Sequence, residues 1–186
     1  MATHQERKLL KSASLVDGAI RYLPLDRSSP PPSAWLQGAS DEWTPLQLAG
    51  VFGPIKSSDT IDDWIELAHD LNVLFATLSI NSHIINMAVD LSGLEGAAAD
   101  PPPSLAQLLT EHVRSGDVSI ANISPMKVTG MRGRGLALAQ AFNDLLTAKY
   151  LLKCEVCDRL FLHAGQRPAS YCGSACRKAA CVEGTK

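Results

Sequence analysis

All five cysteines of this 186-residue chain lie between positions 154 and 181, and the preceding 153 residues contain none. Four of them run Cys154-x2-Cys157-x14-Cys172-x3-Cys176. A secreted disulfide scaffold spreads its cysteines and usually carries an even number. Close pairs at one end point to metal ligation instead. Four thiolates at about 2.3 Å satisfy a tetrahedral zinc ion and leave no position for water, so the expected role is structural.

The spacing also suggests a local fold. Cys154 and Cys157 fit a tight knuckle, followed by a short strand at Leu160-Phe161-Leu162. Cys172 and Cys176 are four apart, which predicts neighbours on one face of a helix whose first turn holds Gly173 and Ser174. A turn and hairpin followed by a ligand-bearing helix make a treble clef, with Phe161 and Tyr171 expected to supply most of a small apolar core. A module of this size cannot stabilise itself by burial alone, and zinc binding would do so. A redox Cys-x-x-Cys would need an adjoining βαβ pattern, which is absent. Cys181 could replace Cys176 as fourth ligand, although the i,i+4 geometry favours Cys176; the expectation is a spare thiol near the terminus. His163 is expected to face solvent.

The rest of the chain predicts a mainly α domain with a small β component over residues 1–149, ahead of a finger over 150–186. Hydrophobic residues make up 46% and charged ones 19%, a globular balance able to bury a core. Residues 5–23 fit helix and strand about equally. The run Ser28-Ser29-Pro30-Pro31-Pro32-Ser33 breaks regular structure. Thr44-Pro45 opens a short helix that Gly53-Pro54 stops. Ser58 or Asp59 can cap the next, in which Ile61, Trp64, Ile65, Ala68, Leu71, Phe75 and Leu78 recur at helical spacing. Ile84, Ile85, Ala88 and Leu91 continue that pattern up to Gly93 and Gly96, predicting one long helix or two with a break. A second proline run at 101–103 precedes a helix from Ser104 to Arg114. Val118, Ile120, Ile123 and Val128 suggest a hairpin or two short strands. A last amphipathic helix from Leu136 through Leu151 is expected to run straight into Cys154.

The net charge of −2 divides unevenly: from Lys149 onward the balance is +4, so the preceding part sums to −6. That asymmetry hints at a polyanion-facing tail. Arg177 and Lys178 follow the last ligand, while Arg159 and Arg167 come from the hairpin side, so phosphate contacts from two sides are expected. About four such contacts would give salt-sensitive binding, with a dimer needed for specificity.

In its final helix entering a cysteine pair, and in the positions Cys154, Cys157, Phe161, Leu162, Tyr171, Cys172, Cys176 and Arg177, the chain resembles the bacterial ABATE-domain proteins with a C-terminal CGNR zinc finger. It reads Cys176-Arg177-Lys178-Ala179 where that family carries Cys-Gly-Asn-Arg. The resemblance covers Leu136 to Ala180. It implies a transcriptional regulator that joins a helical sensing domain to a DNA-binding finger, with Zn2+ as cofactor. The alternative is a zinc-stabilised protein-interaction or assembly module, with a protein partner or as a homodimer, without DNA binding.

An enzyme is not expected. His69 and His83 would stand about 21 Å apart along an unbroken helix, too far for one metal site. Asp62, Glu66 and Asp70 recur at i, i+4, i+8, the pattern of a solvated face. The run Gly130-Met131-Arg132-Gly133-Arg134-Gly135 lacks the Lys-Ser/Thr of a phosphate loop and reads as a linker or an extra basic contact. Trp35, Trp43 and Trp64 could line a pocket, but core positions are the commoner use. No apolar run approaches a membrane span and the N-terminus lacks a signal-peptide pattern, so a soluble, cytoplasmic protein is expected.

Overall fold

The computed structural model describes residues 13–22, 30–31, 33–40, 43–56, 59–79, 83–87, 103–121, 127–130 and 133–183. Among the described residues the first elements are two strands, β1 (Ala13–Val16) and β2 (Ala19–Tyr22), paired antiparallel with Val16 opposite Ala19. The two-residue loop Asp17-Gly18 has φ of 52° and 79°. Positive φ at both positions is what the right-handed twist of a tight hairpin requires, and Asp-Gly supplies it at little cost. Residues 13–22 are therefore a strand hairpin, while residues 5–12 and 23 of the same ambiguous stretch lie outside the described residues.

Helix α1 (Ala34–Ala39) follows, then α2 (Pro45–Phe52). The α2 start is the expected one: Pro45 is in the first turn, and Thr44 and Gln47 form a capping box in which the Thr44 N–H donates to Gln47 Oε1 at 2.8 Å. Gly53, at φ 76°, closes it.

Helix α3 (Ile61–Ala76) is capped by Thr60, whose N–H donates to Asp63 Oδ2 at 2.9 Å. The predicted cap at Asp59 is thus displaced by one residue, and Ser58 lies outside the described residues. Asp59 is buried and serves as a clasp, accepting from the N–H of Ile55 at 2.8 Å and of Lys56 at 2.7 Å and from the Tyr22 hydroxyl. Burial and that carboxylate push the Tyr22 phenol far above its ordinary range.

The helical pattern does not continue through Ile85. A 3-10 turn (Thr77–Ser79) ends α3, and Ile85–Asn86 forms a short strand, β3, that pairs in parallel with Tyr150 and Leu151. Ala88, Leu91, Gly93 and Gly96 lie outside the described residues. Helix α4 (Leu105–Ser115) starts at a Ser104–Gln107 capping box and ends at Gly116, φ 83°. The expected hairpin is present as β4 (Ser119–Ala121) paired antiparallel with β5 (Lys127–Thr129); Ile123 lies outside the described residues.

Helix α5 (Gly133–Thr147) is shorter than predicted. It stops at Thr147, and Leu151 belongs to a strand, β6 (Tyr150–Lys153), which leads into Cys154. Strand β7 (Leu160–His163) pairs antiparallel with β6, and α6 (Ser174–Glu183) is the last element. The architecture is mixed α+β: a mainly helical body, with sheet order β3-β6-β7 at its carboxyl end.

The main core gathers α1, α3 and α5 around fully buried Trp35, Trp64, Leu71, Leu138 and Phe142. Trp43 is buried as well, so the three tryptophans are core residues. A second, smaller core holds Leu152, Cys154, Phe161 and Cys176. Among the described residues no helix is long and apolar enough to cross a membrane.

Candidate metal centre

The knuckle is built by backbone geometry. The N–H of Cys154 donates to Arg159 O at 2.8 Å and that of Asp158 to Cys154 O at 2.9 Å, closing a turn that brings Cys157 back beside Cys154. Asp158 has φ 60°, a left-handed conformation that Asp tolerates better than most residues. The N–H of Glu155 donates to Ser170 O at 3.0 Å, tying the knuckle to the segment that carries the second pair.

That second pair differs from the expected form. Cys172 lies before α6 and only Cys176 is on the helix, in its first turn. The Arg177 N–H donates to Gly173 O at 3.1 Å, so the helix winds from Gly173 and swings the Cys176 sulfur to within 3.6 Å of Cys172 Sγ. Of the two residues expected to fill the finger's core, Phe161 is buried and Tyr171 sits at the edge, while Leu152 is a further member. Leu152 escapes sequence reasoning because its apolar run suits the end of a helix equally well.

The four sulfurs of Cys154, Cys157, Cys172 and Cys176 all lie within 4.8 Å of one another. Cys157 and Cys172 are 3.7 Å apart. Ligands about 2.3 Å from the centre of a tetrahedron are separated by about 3.8 Å, so these contacts match the edges of a tetrathiolate site. A disulfide would need about 2.05 Å, and all five cysteines are free. The four residues are positioned to hold a metal ion.

The electrostatics agree with that geometry. Burial opposes ionisation of Cys154, but backbone N–H groups of Cys172, Cys157 and Val156 outweigh it and bring the thiol down to about 7. Burial pushes Cys176 up to about 11. It drives Cys172 higher still, helped by the Cys176 thiol and by charge on Cys157. Four crowded sulfurs cannot all be thiolates without a cation between them, and a divalent ion reverses that penalty.

The remaining candidates separate clearly. Cys181 is exposed on α6 and lies outside the four-sulfur group. His163 is half-buried in β7, its ring stacked on Tyr150 at 6.5 Å. Arg167, Arg177 and Lys178 are exposed. Arg159 is half-buried at the junction with the body, its guanidinium 5.7 Å from the centre of the Trp43 ring.

His69 and His83 do not share a helix. His69 is exposed on α3, and His83 lies beyond the end of that helix with Nε2 3.2 Å from Leu145 O. Asp70 departs from the solvated face predicted for it, because Arg134 pairs with both Asp70 and, at 3.3 Å, Glu66. Arg134 also approaches Asp117 at 3.4 Å, so it is a brace between α3, α5 and the 116–119 turn and not a free basic contact. Gly130 serves the same packing, since a side chain there would strike Gly135 O at 1.8 Å.

Compared with protein-family models, with curated proteins and with solved structures, the chain matches none.

Proposed function

We propose that Cys154, Cys157, Cys172 and Cys176 hold one structural zinc ion, and that the finger they organise contacts nucleic acid, as in a bacterial transcriptional regulator. The mutual approach of the four sulfurs within 4.8 Å carries the metal reading. Zinc is the ion favoured by four soft thiolates in a tetrahedron with no open position. Free thiols of this kind suit a reducing compartment such as the cytoplasm.

The nucleic-acid reading rests on exposed Arg177 and Lys178 directly after the last ligand, on exposed Arg167, and on the +4 balance of the tail. Arg159 contributes less, because it rests on Trp43. Three phosphate contacts correspond to a slope of roughly −3 for the logarithm of affinity against that of salt. Fluorescence anisotropy of zinc-loaded protein with mixed-sequence duplex DNA across a salt series tests this. Salt-sensitive binding supports it, and no binding at low salt with zinc retained refutes it.

One observation favours the second reading, a protein-interaction or assembly module. At β3, an edge of the sheet that holds the finger's hairpin, Ile85 is 55% exposed, and Met87 just beyond the strand is 61% exposed. The same protein would then self-associate, or bind a partner, with no DNA affinity.

A further inference from the structure

The β6–β7 hairpin has two faces that belong to different cores. Leu151 and its cross-strand partner Leu162 pack on the body's core, whereas Leu152 and its partner Phe161 fill the finger's core. The period of two along each strand makes the hairpin a partition between them. Its turn is the metal knuckle, because Cys154 N–H donates to Arg159 O at 2.8 Å. The position of β7 is therefore set by the same residues that aim the first two sulfurs.

The body grips the outer edge of β7 through residues on or beside α1. Ser33 Oγ accepts from the Leu162 N–H at 3.2 Å, Gln37 Nε2 donates to Leu160 O at 3.0 Å, and Trp43 lies against Arg159. On the β6 side, β3 adds bonds from Ile85 N–H to Lys149 O at 2.8 Å and from Met87 N–H to Leu151 O at 3.0 Å.

Helix α1 has few supports of its own. It is six residues long, far below the length at which a helix holds itself together, and Ser33 at its start adopts φ 52° with no side-chain cap bond. Buried Gln37 Oε1 has no hydrogen-bond partner among the described residues. Such a helix is held by its surroundings: α3 and α5 pack most of it, Trp35 bonds to Gln140 and Asp144 of α5, and the β7 edge adds the Ser33 and Gln37 bonds.

We propose that cation ligation by the four cysteines is coupled through the β7 edge to helix α1. With the cysteines ligated, the knuckle fixes Arg159, Leu160 and Leu162, and these in turn hold Ser33, Gln37 and Trp43. Coupling between two sites is reciprocal, so the packing of α1 also tightens cation binding. The inference rests on the metal-centre reading above, and it makes occupancy of the finger legible to the body as the order of α1.

The test uses the full chain under reducing conditions, stripped with a chelator and reloaded with Co2+ or Zn2+. Thiolate-to-cobalt absorption reports ligation, and hydrogen exchange reports α1 at Leu36–Ala39 beside α3 at Leu67–Leu74. Reloading is expected to slow exchange in α1 by about tenfold, the effect of one or two hydrogen bonds of ordinary net strength, and to leave α3 unchanged. Gln37→Leu is expected to weaken Co2+ binding about fivefold in competition with a chelator while keeping the tetrathiolate spectrum. A normal cobalt spectrum with identical α1 exchange in the stripped and loaded wild type overturns the coupling and leaves the metal centre intact. Absence of any cobalt–thiolate absorption overturns both.

Discussion

Asp144→Asn is expected to stabilise the protein at neutral pH. Asp144 projects from α5 to a buried junction, where its Oδ2 accepts from Trp35 Nε1 at 3.0 Å and its carboxylate also accepts from the Ser33 hydroxyl. Burial raises its pKa to about 6, and the Trp35 and Ser33 bonds only partly offset this. A carboxyl group raised in the folded state holds its proton there more tightly than in the unfolded chain, where it titrates near 3.8. Its contribution to stability is thus fully present below about pH 4 and is lost as pH rises through about 6. Moving from 3.8 to about 6 corresponds to about 3 kcal/mol. Asparagine keeps an oxygen for Trp35 and Ser33 and never ionises. Urea unfolding followed by tryptophan fluorescence, at matched pH values from 4 to 8, isolates the difference because contributions shared by both proteins cancel. The variant and wild type should be within about 1 kcal/mol at pH 4, with the variant ahead by up to about 3 kcal/mol at pH 8. A variant less stable than wild type at pH 8 would refute the reasoning, because it would mean that the bonds to the charged carboxylate outweigh its desolvation.

Cys176→Ser should abolish stoichiometric zinc binding and raise hydrogen exchange across 154–183, while α3 amides at Leu67–Leu74 stay protected by a core that excludes the finger; loss of protection in both would show the body depends wholly on the metal. Arg177→Ala/Lys178→Ala should flatten the salt dependence of DNA binding by about 2 logarithmic units per unit and leave zinc content unchanged; an unaltered slope removes these residues from the interface. At Asp158, φ 60°, replacement by Gly should be neutral or stabilising. Valine there should destabilise by roughly 1–3 kcal/mol, seen as a lower Tm of the zinc-loaded protein. Equal effects of the two would show that the turn relaxes.

Local signals in the sequence were good guides wherever a residue acts on its neighbours. Thr44-Pro45 and Ser104 mark helix starts because caps satisfy backbone groups three residues away. The four cysteines positioned to hold a metal ion are legible for the same reason, being two short-range pairs. The misreadings are nonlocal. Ile84 and Ile85 continue a helical period by coincidence, and Ile85 is instead drawn into a strand by Tyr150, whose sequence position gives no hint of the pairing. Leu151 likewise fits the α5 pattern, but antiparallel pairing with Leu162 claims it. Asp70 looks solvated from its spacing, and only the fold brings Arg134 against it. The hairpin at 13–22 is a different case, since Asp17-Gly18 is a local turn signal that outweighs an ambiguous apolar pattern.

The most direct test of the metal centre is X-ray absorption at the zinc edge on the full chain purified under reducing conditions. Four sulfur neighbours at about 2.3 Å, with one zinc per chain, is the expected result. A coordination shell containing nitrogen or oxygen, or protein that retains no zinc after dialysis, would contradict the assignment of Cys154, Cys157, Cys172 and Cys176 as the ligands.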